Sequence, residues 1–176
     1  MHLRSPLHGP LDHLQGRPNS SLILVEYGDY ECPYCRAARP VITQIQDHFG
    51  DDLGFVFRNF PLRTIHAHAE SAAETAEFAG ARGVFWQMHE LLFTNQRRLG
   101  LPLYDELSDA LGISRIALRE ALTDRVFLSR VTSDYHEGLT NGVVGTPTLF
   151  INGTRYEGAV TFEALVVAMK NLPAVE

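Results

Sequence analysis

Cys32 and Cys35 are the two cysteines of the chain, set two residues apart in Cys32-Pro33-Tyr34-Cys35 directly after the apolar run Leu22-Ile23-Leu24-Val25. A dithiol at this spacing can close into a disulfide, and a buried strand turning into a helix is the setting of disulfide-exchange chemistry. Pro33 suits the first helical position, where its missing N–H costs nothing, which makes Cys32 the N-cap and puts Cys35 in the first turn. The Cys32 sulfur then faces the unpaired N–H groups of Tyr34 and Cys35 and the positive end of the helix dipole. Both favour the thiolate, which is the nucleophile. Cys32 is therefore the expected attacking thiol and Cys35, less accessible, the resolving thiol. The same pair would also serve as half of a zinc site, with His66 and His68 completing a tetrahedron. Structural zinc pairs sit in Gly-rich knuckles, whereas this pair holds a proline at a strand–helix junction, so redox use is favoured and no metal is expected.

The elements that position the pair can be read from punctuation and periodicity. Residues 1–20 read as an irregular arm broken by Pro6, Gly9, Pro10, Gly16 and Pro18. Residues 22–27 read as a strand buried on both faces. A helix is expected over 33–49, stopped by Gly50 and kinked at Pro40, which removes the bond to the Arg36 carbonyl. Residues 54–60 form a second, aromatic strand ended by Pro61. From 66 to 141 the pattern is helical, with helices at 67–81, 85–93 and 103–111, a short one capped by Ser114, and a fifth over 124–138. Strand character returns at 148–151, and Asn152-Gly153 signals a type I′ hairpin to 154–156. Thr161 caps a last helix whose apolar residues Phe162, Leu165, Val166, Met169 and Leu172 recur at helical spacing.

Composition sets outer bounds. At 176 residues, 45% of them hydrophobic, the chain can bury one proper core with an insertion. A net charge of −6 without a basic patch argues against nucleic acid as a partner. No segment approaches the roughly 20 apolar residues of a membrane span. Nor does the start carry an apolar stretch of signal-peptide length, so the chain reads as cytoplasmic, or periplasmic if a leader has been trimmed. A reducing compartment would rest the pair as a dithiol that reduces or exchanges; an oxidising one would have it deliver disulfides.

The chain resembles thioredoxin-fold oxidoreductases of the DsbA-like class. The likeness rests on residues 25–35, on Gly145-Thr146-Pro147-Thr148, and on the helical insertion between them. It is especially similar to the bacterial subgroup related to domains fused to sodium/proton antiporters, where Phe-Arg-Asn-Phe-Pro-Leu, His-Ala-His-Ala, Phe-Trp-Gln-Met-His and Asn-Gln are typical; here they occupy 57–62, 66–69, 85–89 and 95–96. The resemblance implies an α/β thioredoxin-like fold, a central mixed sheet flanked by helices, with residues 21–62 and 143–176 as the thioredoxin-like part and 63–142 as the helical insertion. It implies a cis Thr146–Pro147 peptide whose backbone pairs with an extended substrate beside Pro33 and Tyr34. It also places Glu26 as a buried acid under the dithiol, its pKa raised by desolvation, either relaying protons to and from Cys35 or serving as a hydrogen-bonded structural carboxylate. Glu31 is expected to be solvated and to oppose the Cys32 thiolate, leaving its pKa moderately lowered. Tyr34 carries no charge to favour that thiolate, so a potential of about −200 to −230 mV is expected rather than the roughly −120 mV of DsbA. His66 and His68 read as capping or packing residues, and Phe85, Trp86 and His89 as core.

The function that follows is thiol–disulfide exchange with protein disulfides or dithiols, or with small disulfides such as glutathione. The cysteines carry the electrons, so no cofactor is required, and with no second pair for a relay an external redox partner must reset the site. A redox-sensing binding module would use the same dithiol. Glutathione-dependent isomerases or transferases of related fold usually present serine or a single cysteine at this turn, and the intact pair argues against them.

Overall fold

Leu22–Gly28 (β2) holds one ionisable carboxylate, Glu26, in a seven-residue strand that is buried throughout. Such a strand needs neighbours on both edges and cover on both faces, and the computed structural model, which describes residues 2–4 and 7–171, supplies them. Leu53–Asn59 (β3) pairs with it in parallel, Glu26 opposite Phe57. Thr148–Ile151 (β4) pairs antiparallel on its other edge, Glu26 opposite Leu149. Thr154–Tyr156 (β5) returns beside β4 through Asn152 and Gly153, at φ 47° and 78°, the two left-handed residues of a type I′ turn. The Asn152 side chain accepts the Ile23 N–H at 2.8 Å, which locks the hairpin turn to the central strand.

The arm is not irregular throughout. His13–Gln15 (β1) forms the fifth strand, antiparallel to β3, giving the order β1-β3-β2-β4-β5. Long-range partners hold it there: Asp12 accepts from Arg58 Nε and Nη2 at 2.9 and 2.8 Å, and His13 Nε2 meets Glu77 at 2.8 Å. Three residues carry no legible alternation, so the pairing depends on contacts that periodicity does not register. Pro6 and Leu172, which enter the sequence reading, lie outside the described residues.

Pro33–Phe49 (α1) runs as one helix through Pro40, burying Cys35, Ala38, Arg39, Ile42 and Ile45. Between β3 and β4 stand Ala69–Gly80 (α2), Phe85–Thr94 (α3), Leu101–Ala110 (α4), Arg115–Thr123 (α5) and Leu128–Thr140 (α6). The last of these starts later than position 124 because Arg125 adopts φ 54°, which ends α5 and turns the chain before α6 begins. Phe162–Lys170 (α7) follows, with Thr161 Oγ1 accepting the Ala164 N–H at 3.3 Å.

Period-two alternation divides the sheet's side chains between two layers. Leu22 and Leu24 join Cys32, Cys35, Phe57, Leu149 and the apolar faces of α1 to α4 and α7. Ile23, Val25 and Tyr27 face the other way, with Val56, Phe60, Val143 and Phe150. There α6 lies so close that a Cβ at Gly138 would stand 2.6 Å from the Phe60 ring and 3.1 Å from that of Tyr27. Glu26 belongs by alternation to the layer that holds the dithiol.

Candidate active site

Cys32 is the N-cap of α1, in extended conformation, with Pro33 next to it as the first helical residue. Cys32 is 3% exposed and Cys35 0%, and both are free thiols. The loop ahead of them is held by Asp29. Its carbonyl accepts the Cys32 N–H at 3.1 Å, and its own N–H points at Cys35 Sγ at 3.5 Å. Its carboxylate accepts the N–H groups of Glu31 and Leu62, at 2.7 and 2.8 Å, and the Nδ1 of His66 at 2.7 Å. From the insertion, Gln96 Nε2 donates to the carbonyls of both Tyr30 and Cys32, each at 2.8 Å. The thiols thus sit on a turn fixed from two sides.

The Thr146–Pro147 peptide is cis and faces this turn, with Cys32 Sγ 3.4 Å from the Thr146 carbonyl, to which it donates when protonated. Tyr34, 74% exposed, and Pro147 border a groove of about 350 Å³ completed by Ala37, Ala38, Thr146 and Val160. The two halves of the sequence signature, 114 residues apart, therefore meet at one sulfur.

Charge is distributed unequally between the thiols. The Cys32 thiol is lowered to about 5, first by the hydrogen bond from the Cys35 thiol, against its own desolvation, then by Thr146 and the N–H groups of Cys35 and Tyr34. The sulfur makes no formal capping hydrogen bond, so the helix end acts after the neighbouring thiol. Thr146 Oγ1 is buried and otherwise unpartnered among the described residues, free to serve the thiolate. Burial pushes the Cys35 thiol well up, helped by its bond to Cys32 and the negative charge of Glu26. The lowering of Cys32 exceeds the moderate one expected. Glu31, expected to be solvated, is half-buried and engaged elsewhere: its Oε2 accepts the His68 N–H at 2.6 Å at the start of α2.

Glu26 is fully buried, and among the described residues neither carboxylate oxygen has a hydrogen-bond partner. Desolvation raises its pKa to about 7, against the attraction of Arg39. Arg39 comes from the buried face of α1, its guanidinium 5.5 Å from the Phe55 ring and paired with Glu90. A Cβ at Gly28 would fall 2.3 Å from the Phe57 ring and 3.2 Å from Glu26 Oε1, so the layer under the dithiol closes only around a glycine.

The structure brings together Cys32, Cys35, Pro33, Tyr34, Thr146 and Pro147, with Glu26 beneath. His66 is taken by Asp29, His68 lies exposed, and no group of three or more His, Cys, Asp or Glu among the described residues could hold a metal. His89 is core, with Nδ1 on the Tyr30 hydroxyl at 3.0 Å and rings of Phe57, Phe85 and Phe93 around it. Sequence reasoning assigned no role to Asp29, Gln96 or Arg39. One signal was available for Arg39: a charge set among Cys35, Ala38, Ile42 and Ile45 on an otherwise apolar helix face.

Sodium/proton antiporter NhaA 1 of Salinispora arenicola is 37% identical over 167 residues, which cover 95% of this chain and 26% of the antiporter. The chain thus spans about a quarter of the length of the curated relatives it matches. No helix among the described residues is long and apolar enough to cross a membrane. Among solved structures, oxidised BdbD from Bacillus subtilis superposes with a TM-score of 0.83 at 24% identity, covering 91% of each chain. A thioredoxin-like oxidoreductase from Silicibacter pomeroyi gives 0.82 at 21% identity, covering 93% of each. The thioredoxin family model matches residues 9–171, around the same five-stranded sheet and dithiol turn, and the chain belongs to that family.

Proposed function

We propose that the protein is a DsbA-like thiol–disulfide oxidoreductase in which Cys32 attacks and Cys35 resolves. The observation that carries this reading is geometric: Cys32 caps α1 with its sulfur 3.4 Å from the carbonyl of the cis Thr146–Pro147 peptide, and Cys35 is fully buried one turn in. The turn lowers the Cys32 thiol to about 5 while burial raises Cys35. One solved structure of the same fold is that of a thioredoxin-like oxidoreductase, which agrees with the chemistry.

The Cys32 thiolate attacks one sulfur of a substrate disulfide, forming a mixed disulfide and expelling the other substrate sulfur as a thiolate that takes a proton from water. An extended substrate segment lies beside the Thr146 backbone and over Tyr34 and Pro147, in the manner of strand addition. Cys35 then gives its proton to Glu26, attacks Cys32 Sγ and releases the second substrate sulfur. Two electrons pass to the substrate, leaving a Cys32–Cys35 disulfide that an external dithiol must reduce. Glu26 suits the proton transfer because a base near pKa 7 can accept and return a proton at neutral pH. The reverse sequence oxidises a substrate dithiol; compartment and partner set the direction.

The test is turnover of a fluorescent peptide disulfide with dithiothreitol as reductant. The wild type should turn over and Cys32→Ser should not. Equal rates for both proteins would overturn the reading.

A further inference from the structure

Arginines of this acidic chain generally meet a carboxylate: Arg58 meets Asp12, Arg119 meets Asp105 and Arg125 meets Glu70. Arg36 and Arg97 do not, among the described residues, and neither guanidinium has a hydrogen-bond partner there. They line one pocket of about 490 Å³, which also touches Pro33 between the two thiols.

Both are anchored to the attacking residue. The Arg36 N–H donates to the Cys32 carbonyl at 3.2 Å, and Gln96, the residue before Arg97, donates to the same carbonyl at 2.8 Å. One carboxylate shares the pocket, that of Glu31, and its Oε2 is committed to the His68 N–H. His68 is the remaining titratable group on the wall. Two guanidiniums against the single Glu31 carboxylate leave the pocket net positive beside the nucleophile, in a chain of net charge −6. The guanidinium fork fits a carboxylate in paired hydrogen bonds. A separate groove, bordered by Tyr34, Pro147 and Val160, is mainly apolar.

We propose that the Arg36–Arg97 pocket binds a carboxylate carried by the substrate polypeptide next to its disulfide, so that the protein selects acidic segments. This rests on the exchange reading of the dithiol.

Short peptides bearing one cysteine in mixed disulfide with a neutral alkyl thiol test it, the cysteine flanked by Asp-Asp, Ser-Ser or Lys-Lys. The rate of peptide thiol release by the reduced protein should be about ten-fold higher for the Asp than the Lys peptide at low salt, and should fall toward parity as salt screens the charges. In Arg36→Gln/Arg97→Gln the ratio should collapse to near one, and Arg97→Glu should tilt it toward Lys. Arg115→Gln, an exposed change beside Asp109, should keep the ten-fold ratio. A ratio near one in the wild type, or one unmoved in the double variant, would overturn the proposal. Arginine-dependent acceleration of glutathione disulfide without preference among the peptides would assign the carboxylate to the free tripeptide and overturn the polypeptide assignment. Failure of all three peptides to react would instead overturn the exchange reading itself.

Discussion

At Cys32 the lowering to about 5 owes most to the Cys35 thiol, then to Thr146 and two backbone N–H groups, with no cation in the motif. That order predicts the pH dependence. Alkylation of Cys32 by iodoacetamide should rise with pH and be half-maximal near pH 5. Cys35→Ala removes the leading donor and should move the midpoint up by about one unit or more. A midpoint near 8.5, that of a free cysteine, would show that the turn does not stabilise the thiolate; an unmoved midpoint in the variant would show that Cys35 is not its main partner. Cys32, Cys35, Pro33 and Tyr34 were legible because a two-residue spacing and a helix start fix their geometry locally. Thr146, Pro147 and the depth of Glu26 came from the family likeness, and no local pattern places them at the sulfur.

The active-site turn is shared between elements distant in sequence. β2 delivers it, α1 caps it, and the short turn after α3 holds it through Gln96, which lies 64 residues from Cys32. Asp29 ties it to the segment after β3 through Leu62 and His66. Such contacts leave no periodic trace, which is why the strands and helices were legible and these clamps were not. Strand β1 was missed for the same reason, and the start of α6 because a left-handed Arg125 looks like any helical arginine in sequence. The clamp has a measurable worth. Gln96→Leu loses both bonds and leaves the Tyr30 carbonyl buried, so urea denaturation should show a loss of about 1–3 kcal/mol. Exchange with a neutral peptide should slow several-fold. Wild-type stability and rate together would show that Gln96 does not hold the turn.

Across the molecule, one apolar layer contains the dithiol, the sheet face and most of the insertion, and it encloses Glu26. On the opposite face Arg58 joins the arm through Asp12 to α6 through Glu137, so arm, sheet and insertion close on one buried guanidinium. Holding Glu26 in the apolar layer costs stability once it ionises. Its pKa is about 7 in the fold against the 4.5 of a free carboxyl, so the folded state keeps a proton that the unfolded chain has released between those values. The contribution of Glu26 is therefore full below about pH 4.5 and is lost as pH rises through 7, by up to about 3 kcal/mol. Asp134, raised to about 6 by burial, acts in the same direction. In the reduced protein Glu26→Gln should match the wild type near pH 4 and exceed its stability by up to about 3 kcal/mol at pH 8, read by urea denaturation. Equal stability at pH 8 would mean that Glu26 is not desolvated.

The proposed function has Cys32 attack and Cys35 release, and trapping the intermediate tests this most directly. With Cys35→Ala and a peptide disulfide, mass spectrometry should find a persistent one-to-one adduct, and fragmentation should place it on Cys32. Cys32→Ala should form none at neutral pH, because the buried Cys35 stays protonated. An adduct that forms equally in both variants, or only on Cys35, would contradict the account.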